Sequence, residues 1–152
     1  MKHLILFLLF LSVSCTSTKS TLKNINDTAK KPQVQNNAFI ITEYAEDTKY
    51  GYDKDFPINI GLILERQEET FVTYFFNGLT GPNGEKILFK KVDTCCPFPT
   101  QHNNMGAGTL SIYEVQFEGT NITKKLYFNS YERGKIVCPK GFTIKKFQTI
   151  NN

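Results

Sequence analysis

Residues 109–131 read TLSIYEVQFEGTNITKKLYFNSY, and this stretch decides the fold. Segments 109–118 and 123–131 are rich in aromatic and β-branched residues, which favour strands, and the turn-forming residues 119–122 separate them. This arrangement predicts a β-hairpin. Alternation along the first strand places three apolar side chains on one face: Tyr113, Val115 and Phe117. We therefore expect the hairpin to bury one face against the rest of the protein.

Further strands are predicted on both sides of the hairpin. Apolar and branched residues form runs of strand length at 38–44, 57–64, 87–92 and 142–147. Joined by turns, these strands imply a small antiparallel sheet in an α+β or mainly β domain, with at most one or two short helices.

Residues 65–79 are compatible with either a helix or a strand. Their apolar side chains recur at helical spacing, although Phe, Val, Thr and Tyr also favour strands. Glu68 and Glu69 suit the N-terminus of a helix, and Gly78 supplies a stop. We therefore predict one short helix in this segment.

The N-terminus resembles a secretory signal peptide at residues 1–14. Lys2 and His3 precede the apolar run 4–11, which is too short to span a membrane, and small residues lead into Cys15. A cysteine after small residues is typical of a bacterial lipobox, although Ser12 stands where Leu is usual. We expect Cys15 to be lipidated; in the alternative, an ordinary signal peptide is cut nearby and Cys15 is incidental.

Residues 15–37 are predicted to form the lipidated cysteine and a flexible tether, with residues 38–152 as one globular domain. The tether is polar and has almost no large apolar side chain, so it would bury little surface. The chain holds 18 Lys and Arg against 14 Asp and Glu, and several lysines lie before residue 38. The near-neutral domain lacks the basic stripe of nucleic-acid-binding proteins, which excludes that class.

The cysteines after Cys15 allow three arrangements. Cys138 could bond to Cys95 or Cys96, which an exported protein permits and which we favour. The alternatives are a vicinal Cys95–Cys96 bond, for which an extended chain must strain, or free thiols. A metal site is a weaker candidate, with Cys96, His102 and Cys138 as possible ligands, because the spacing matches no zinc module.

Possible binding residues are Tyr50, Tyr52, Asp53 and His102. Aromatic and acidic side chains beside a turn are typical of a sugar-binding surface, although plain packing also explains them. No G-x-S-x-G or H-E-x-x-H motif is present, so most hydrolase mechanisms lack their parts. We predict no catalytic residue and no cofactor.

Several short motifs between residues 50 and 142 are distinctive: Tyr50-Gly-Tyr52, Pro57-Ile-Asn-Ile60, Gly81-Pro-Asn-Gly-Glu85, Cys95-Cys-Pro-Phe98, Gly106 and Gly108 before Leu110, Tyr113-Glu-Val115 and Pro139-Lys-Gly-Phe142. In these motifs the chain resembles a family of small lipoproteins from Bacteroidota. Members are sometimes labelled 2-dehydro-3-deoxyphosphooctonate aldolase, an activity that implies a (β/α)₈ barrel of about 250 residues. A domain of 115 residues is too short for that barrel, so we regard the label as misassigned. Cys138 is not part of the family pattern, and the resemblance therefore favours a role for the Cys95/Cys96 pair.

These features together predict an envelope lipoprotein with a non-catalytic domain that binds a protein or a glycan. Thr16, rather than Asp, follows Cys15, which favours the outer membrane, and no acidic cluster follows the cysteine, which favours the periplasmic face over surface display. The alternative is a small periplasmic enzyme or metal-binding protein that uses the Cys95/Cys96 loop with His102 and either Asp53 or Asp55.

Overall fold

The predicted hairpin is present and lies at the centre of the main sheet. A computed structural model of the protein describes residues 20–147, apart from the side chain of Glu65; the predicted signal peptide and Cys15 lie outside these residues. In chain order the elements are β1 (Val34–Gln35), β2 (Ala38–Phe39), β3 (Ile58–Asn59), a 3-10 turn (Glu65–Gln67), α1 (Glu68–Asn77), β4 (Leu79–Thr80), β5 (Ile87–Pro99), β6 (Ala107–Phe117), β7 (Thr123–Asn129) and β8 (Thr143–Ile144).

Strands β6 and β7 pair with the register that their apolar alternation requires. Tyr113 lies opposite Leu126, and Ser111 lies opposite Phe128. The three β6 side chains that were expected to share a face are all buried: Tyr113, Val115 and Phe117. Because side chains alternate along a strand, the other face of β6 carries the polar Glu114 and Gln116 at one end and the buried Leu110 at the other.

Four strands form the main sheet in the order β3-β7-β6-β5. The long pairs β5–β6 and β6–β7 are antiparallel, whereas the two-residue strand β3 runs parallel to β7. Two small antiparallel sheets, β1–β2 and β4–β8, lie beside it. With one helix among the described residues, the architecture confirms the expected α+β or mainly β class.

The predicted helix is present as α1 and covers the buried face of the sheet. Val72, Phe75 and Phe76 are buried, and both phenylalanines meet the ring of Phe128 edge to face, at centroid distances of 5.4 and 5.6 Å. The helix ends at Gly78, where a Cβ would collide with the carbonyl of Phe39. The helix therefore begins at the predicted acidic pair and ends at the predicted glycine, although the Glu68 carboxylate accepts hydrogen bonds from Lys91 and Tyr113.

Strand β5 is longer than the predicted strand at 87–92 and runs through the paired cysteines to Pro99. Its pairing with β6 shifts register twice, between Lys91 and Asp93 and between Cys95 and Phe98. Shifts of this kind are β-bulges, which re-aim side chains and bend a strand. Cys96 lies within the second shift and has a positive φ of 57°.

Three predicted strands are shorter than expected. The segments at 38–44, 57–64 and 142–147 keep only the two-residue strands β2, β3 and β8, with isolated bridges at Tyr44 and Ile60. Leu62 has a positive φ of 52°, which ends the extended conformation after β3. Apolar character in these segments reflects burial in irregular chain rather than a regular ladder.

The prediction of a flexible tether up to residue 37 is wrong for residues 20–37. Leu22 is buried, and the backbone amides of Lys23 and Asn26 donate to the carbonyls of Asp55 and Arg133, at 2.8 Å each. Backbone hydrogen bonds and one well-placed leucine hold this polar segment on the domain. The folded unit therefore begins by Ser20 and not at Ala38.

Candidate functional site

The loop between β5 and β6 closes on itself and holds Thr100 and His102. The amide of Thr100 donates to the carbonyl of Gly106 at 3.1 Å, and the amide of Gly106 donates to the carbonyl of Asn103 at 2.9 Å. Gly106 has a φ of 69°, a conformation that glycine adopts without strain. The loop therefore presents its side chains from a fixed backbone.

The buried carboxylate of Glu132 joins this loop to the chain that follows β7. The Thr100 hydroxyl donates to Oε1 of Glu132 at 2.6 Å, and Nδ1 of His102 lies 3.0 Å from Oε2. The Thr100 oxygen also accepts the backbone amide of His102 at 3.1 Å. Gly61 packs against the backbone of Glu132, so closely that a Cβ at residue 61 would collide with the Glu132 carbonyl.

The contact between His102 and Glu132 determines which ring nitrogen His102 offers to a ligand. An ionised carboxylate can only accept hydrogen bonds, so a neutral His102 carries its proton on Nδ1 and donates it to Glu132. Nε2 is then the ring nitrogen that accepts a hydrogen bond or a proton. Thr100, by contrast, is 2% exposed and its hydroxyl donates to Glu132, which leaves it unsuited to attack a substrate.

Beside the loop lies a cavity of about 290 Å³, which we call the His102 pocket. Glu132 and Thr100 form part of its wall. The groups that remain available to a ligand are Ser20, Asp27, Gln101 and His102, with the apolar side chains of Leu22 and Ile25. The pocket thus combines donors, acceptors and a small apolar surface.

Cys95 and Cys96 form a vicinal disulfide next to this pocket. Both cysteines pack on a small apolar cluster built around Leu22, Phe98 and Leu110, to which Ile25 also belongs. Leu22 and Ile25 therefore contact the disulfide cluster and line the His102 pocket as well. The predicted pairing of Cys138 with one of these cysteines is wrong.

Cys138 is free and lies in the main core, away from the disulfide cluster. Burial raises the pKa of its thiol to about 12, so the thiolate that redox chemistry or metal binding needs is disfavoured. The possible metal set of Cys96, His102 and Cys138 is not assembled, and no other group of three metal-ligating side chains occurs among residues 20–147.

The remaining predicted binding residues do not join His102. Tyr50 is buried in the core, where its hydroxyl donates to the Lys135 carbonyl at 3.2 Å and burial raises its pKa. The Tyr52 hydroxyl donates to the carbonyl of Lys140 at 2.6 Å. Asp53 caps a turn by accepting the amide of Asp55 at 2.8 Å. These three side chains stabilise the fold rather than form one surface with His102.

Sequence reasoning identified His102 but missed Glu132 and Thr100. Glu132 stands 30 residues from His102, in the unremarkable run Ser-Tyr-Glu-Arg, and only the pairing of β5, β6 and β7 brings the two together. The one available signal is an acidic residue three positions after the end of a strand. Ser20 and Asp27 lie in the polar segment whose composition predicts a tether, so the sequence does not indicate that they line a pocket.

Among residues 20–147, no helix has the length and apolar character required to cross a bilayer. No protein-family model, no curated protein and no solved structure matches the chain.

Proposed function

We propose that the protein is a lipid-anchored domain of the cell envelope that binds a hydroxylated ligand, of the glycan class, in the His102 pocket. The observation that carries the proposal is the buried Glu132 carboxylate, which orients His102 at the pocket and occupies the hydroxyl of Thr100 in the pocket wall. A carboxylate that fixes a ring and a loop builds a rigid binding site.

The chemistry of the pocket suits a sugar ring. Sugar hydroxyls both donate and accept, and the pocket offers an acceptor at Asp27, both functions at Gln101 and a ring nitrogen at His102. The C–H faces of a sugar are apolar, and Leu22 and Ile25 supply apolar contacts. A few fixed polar groups beside apolar ones are typical of small-molecule sites.

The lipid anchor rests on the signal peptide and on Cys15. With Cys15 lipidated, five residues of chain lead from the anchor to Ser20, which lines the His102 pocket. A fully extended chain spans at most about 3.6 Å per residue, so Ser20 lies within about 18 Å of the membrane surface. The proposed ligand is therefore bound close to the membrane, and Thr16 after Cys15 favours the outer membrane as that membrane.

Two measurements test the anchor and the ligand separately. Metabolic labelling with a radioactive fatty acid should mark the native protein and not Cys15→Ser, which should also leave the membrane fraction.

An array of immobilised glycans, probed with the processed protein, should retain it through specific sugars. His102→Ala should abolish that retention, whereas Met105→Ala, in the same loop with an 85% exposed side chain, should not. If His102→Ala is retained as well as the native protein, the His102 pocket is not the binding site. If no glycan retains the native protein, the glycan class is wrong and a protein ligand is favoured.

A catalytic role for His102 is a second candidate, and its contact with Glu132 favours it. Carboxylate-oriented imidazoles act as general bases, and the exposed His102 side chain is open to a substrate. The structure brings neither Asp53 nor Asp55 into the pocket, and the disulfide supplies no thiolate. If the retained glycan is cleaved by the native protein and survives contact with His102→Gln, catalysis replaces simple binding.

A further inference from the structure

A second cavity, unrelated to the His102 pocket, lies between residues 29–34 and the core. Its volume is about 140 Å³, and it shares no lining residue with the His102 pocket. Its walls are mainly apolar side chains: Val34, Phe39, Ile60, Phe71 and Ile136. An apolar cavity of about 150 Å³ in another protein stays dry and takes benzene, so this volume suits one ring.

The charged groups around this cavity all have the same sign. Lys30, Lys31 and Arg133 line it, and no carboxylate does so among the described residues. None of these three cations takes part in an ion pair between residues that the structure describes. Lys31 lies over the ring of Phe71, with its Nζ 5.7 Å from the centroid.

Arg133 supplies the most specific sign of an absent partner. Its Nε is buried and has no hydrogen-bond partner among the described residues. A buried donor without an acceptor is costly, and charged donors are the most costly of all. The guanidinium presents donors in a planar fork that matches the two oxygens of a carboxylate.

The geometry points to a binding site for a small aromatic carboxylate. The ring enters the apolar cavity against Phe39 and Phe71, and the carboxylate accepts hydrogen bonds from Arg133 while Lys30 and Lys31 contribute positive charge. A neutral amide of the same shape offers Arg133 one uncharged carbonyl oxygen in place of the two charged oxygens of a carboxylate, and the site therefore selects for charge as well as size.

Phenylacetate and its neutral isostere phenylacetamide separate these contributions. The test uses the processed protein, purified from the cells that produce it. In its nitrogen-15 NMR spectra, phenylacetate should shift the signals of the Arg133 Nε–H and of the Gly134 amide. It should bind at least about tenfold more tightly than phenylacetamide, since a hydrogen bond to a charged partner is worth about that factor. Acetate, which lacks the ring, should bind more weakly still.

The chain offers a matched control, because Arg66 is its other arginine and is exposed. Arg133→Gln should weaken phenylacetate binding about tenfold, and Arg66→Gln should leave it unchanged. Equal affinity for phenylacetate and phenylacetamide, or no shift at Arg133, overturns the proposal. Should Arg133→Gln fail to fold, the double variant Lys30→Gln, Lys31→Gln replaces it, and unchanged phenylacetate affinity in that variant also overturns the proposal.

Discussion

Glu132 is the residue on which the candidate site depends, because one buried carboxylate satisfies two side chains. Replacing Glu132 by Ala leaves the buried Thr100 hydroxyl without its acceptor and releases His102. We expect the free energy of unfolding in urea to fall by about 2–3 kcal/mol, the usual cost of an unsatisfied buried group together with a small cavity. Glu118→Ala, at an exposed turn position, should change it by less than about 0.5 kcal/mol. Equal losses in the two variants would contradict the buried role of Glu132.

The cysteines make a second prediction at the scale of single residues. Without reductant, an alkylating agent at about pH 8 should leave the folded protein unmodified at residues 95, 96 and 138, because two are bonded and burial raises the pKa of the Cys138 thiol to about 12. Unfolding should expose one reactive thiol, and reduction two more. Peptide mapping that finds Cys138 in a disulfide would show the pairing to be different.

Among the elements, the N-terminal segment at residues 20–37 departs most from what its composition predicts. Leu22 packs with Phe98 and Leu110, so Leu22→Ala should lower the free energy of unfolding by about 2 kcal/mol. Leu64→Ala, at a leucine that is 56% exposed, is the matched control and should have little effect. A tether would make the two variants indistinguishable in urea denaturation.

The elements that the sequence predicted well are those with a local period. The hairpin and α1 each repeat their apolar residues at the spacing of one structure, and their neighbours in the chain supply the turn and the stop. The predicted strand at 87–92 covers only the first part of β5, because bulges and prolines interrupt the alternation of its side chains near Cys96. The segment 20–37 was misjudged because backbone hydrogen bonds, which composition does not reveal, hold most of it.

The sequence identified His102 in the candidate site but neither Thr100 nor Glu132, for a related reason. His102 is conspicuous as the only histidine after the predicted signal peptide. Its partner Glu132 reaches it through the antiparallel order of three strands, and a pairing over 30 residues has no local signature. The mistaken pairing of Cys138 has the same origin, since chain distance cannot show that the cysteines lie in different clusters.

At the scale of the whole molecule, buried tyrosines make stability sensitive to alkaline pH. Burial raises the pKa of Tyr52 to about 12 and raises those of Tyr50 and Tyr113 as well, from an ordinary value of 10.0. The folded protein therefore retains protons that the unfolded chain loses, and the stability contributed by the tyrosines should be full below pH 10 and decline as the pH rises toward about 12. The Cys138 thiol acts in the same direction from its ordinary value of 9.0.

Urea denaturation at a series of pH values, with tyrosine ionisation followed by absorbance, measures this decline. Tyr52→Phe removes one of the ionising groups and should make the decline shallower. Tyrosines that ionise near pH 10 in the folded protein, or a free energy of unfolding that is constant up to pH 12, would contradict the burial of these phenols.

The strands also orient the molecule on the membrane to which we propose it is anchored. The loop that carries His102 precedes β6 and the hairpin turn follows it, so the eleven residues of β6 separate them by about 35 Å. Because Ser20 lies at the His102 end, lipidation of Cys15 places that end near the membrane and the turn far from it.

The chain contains no tryptophan, so a single introduced Trp reports its own depth. With headgroup nitroxides in vesicles that carry the lipidated protein, Met105→Trp fluorescence should be quenched and Ile122→Trp fluorescence should not. Equal quenching at both positions would mean that the domain lies flat or stands free of the bilayer.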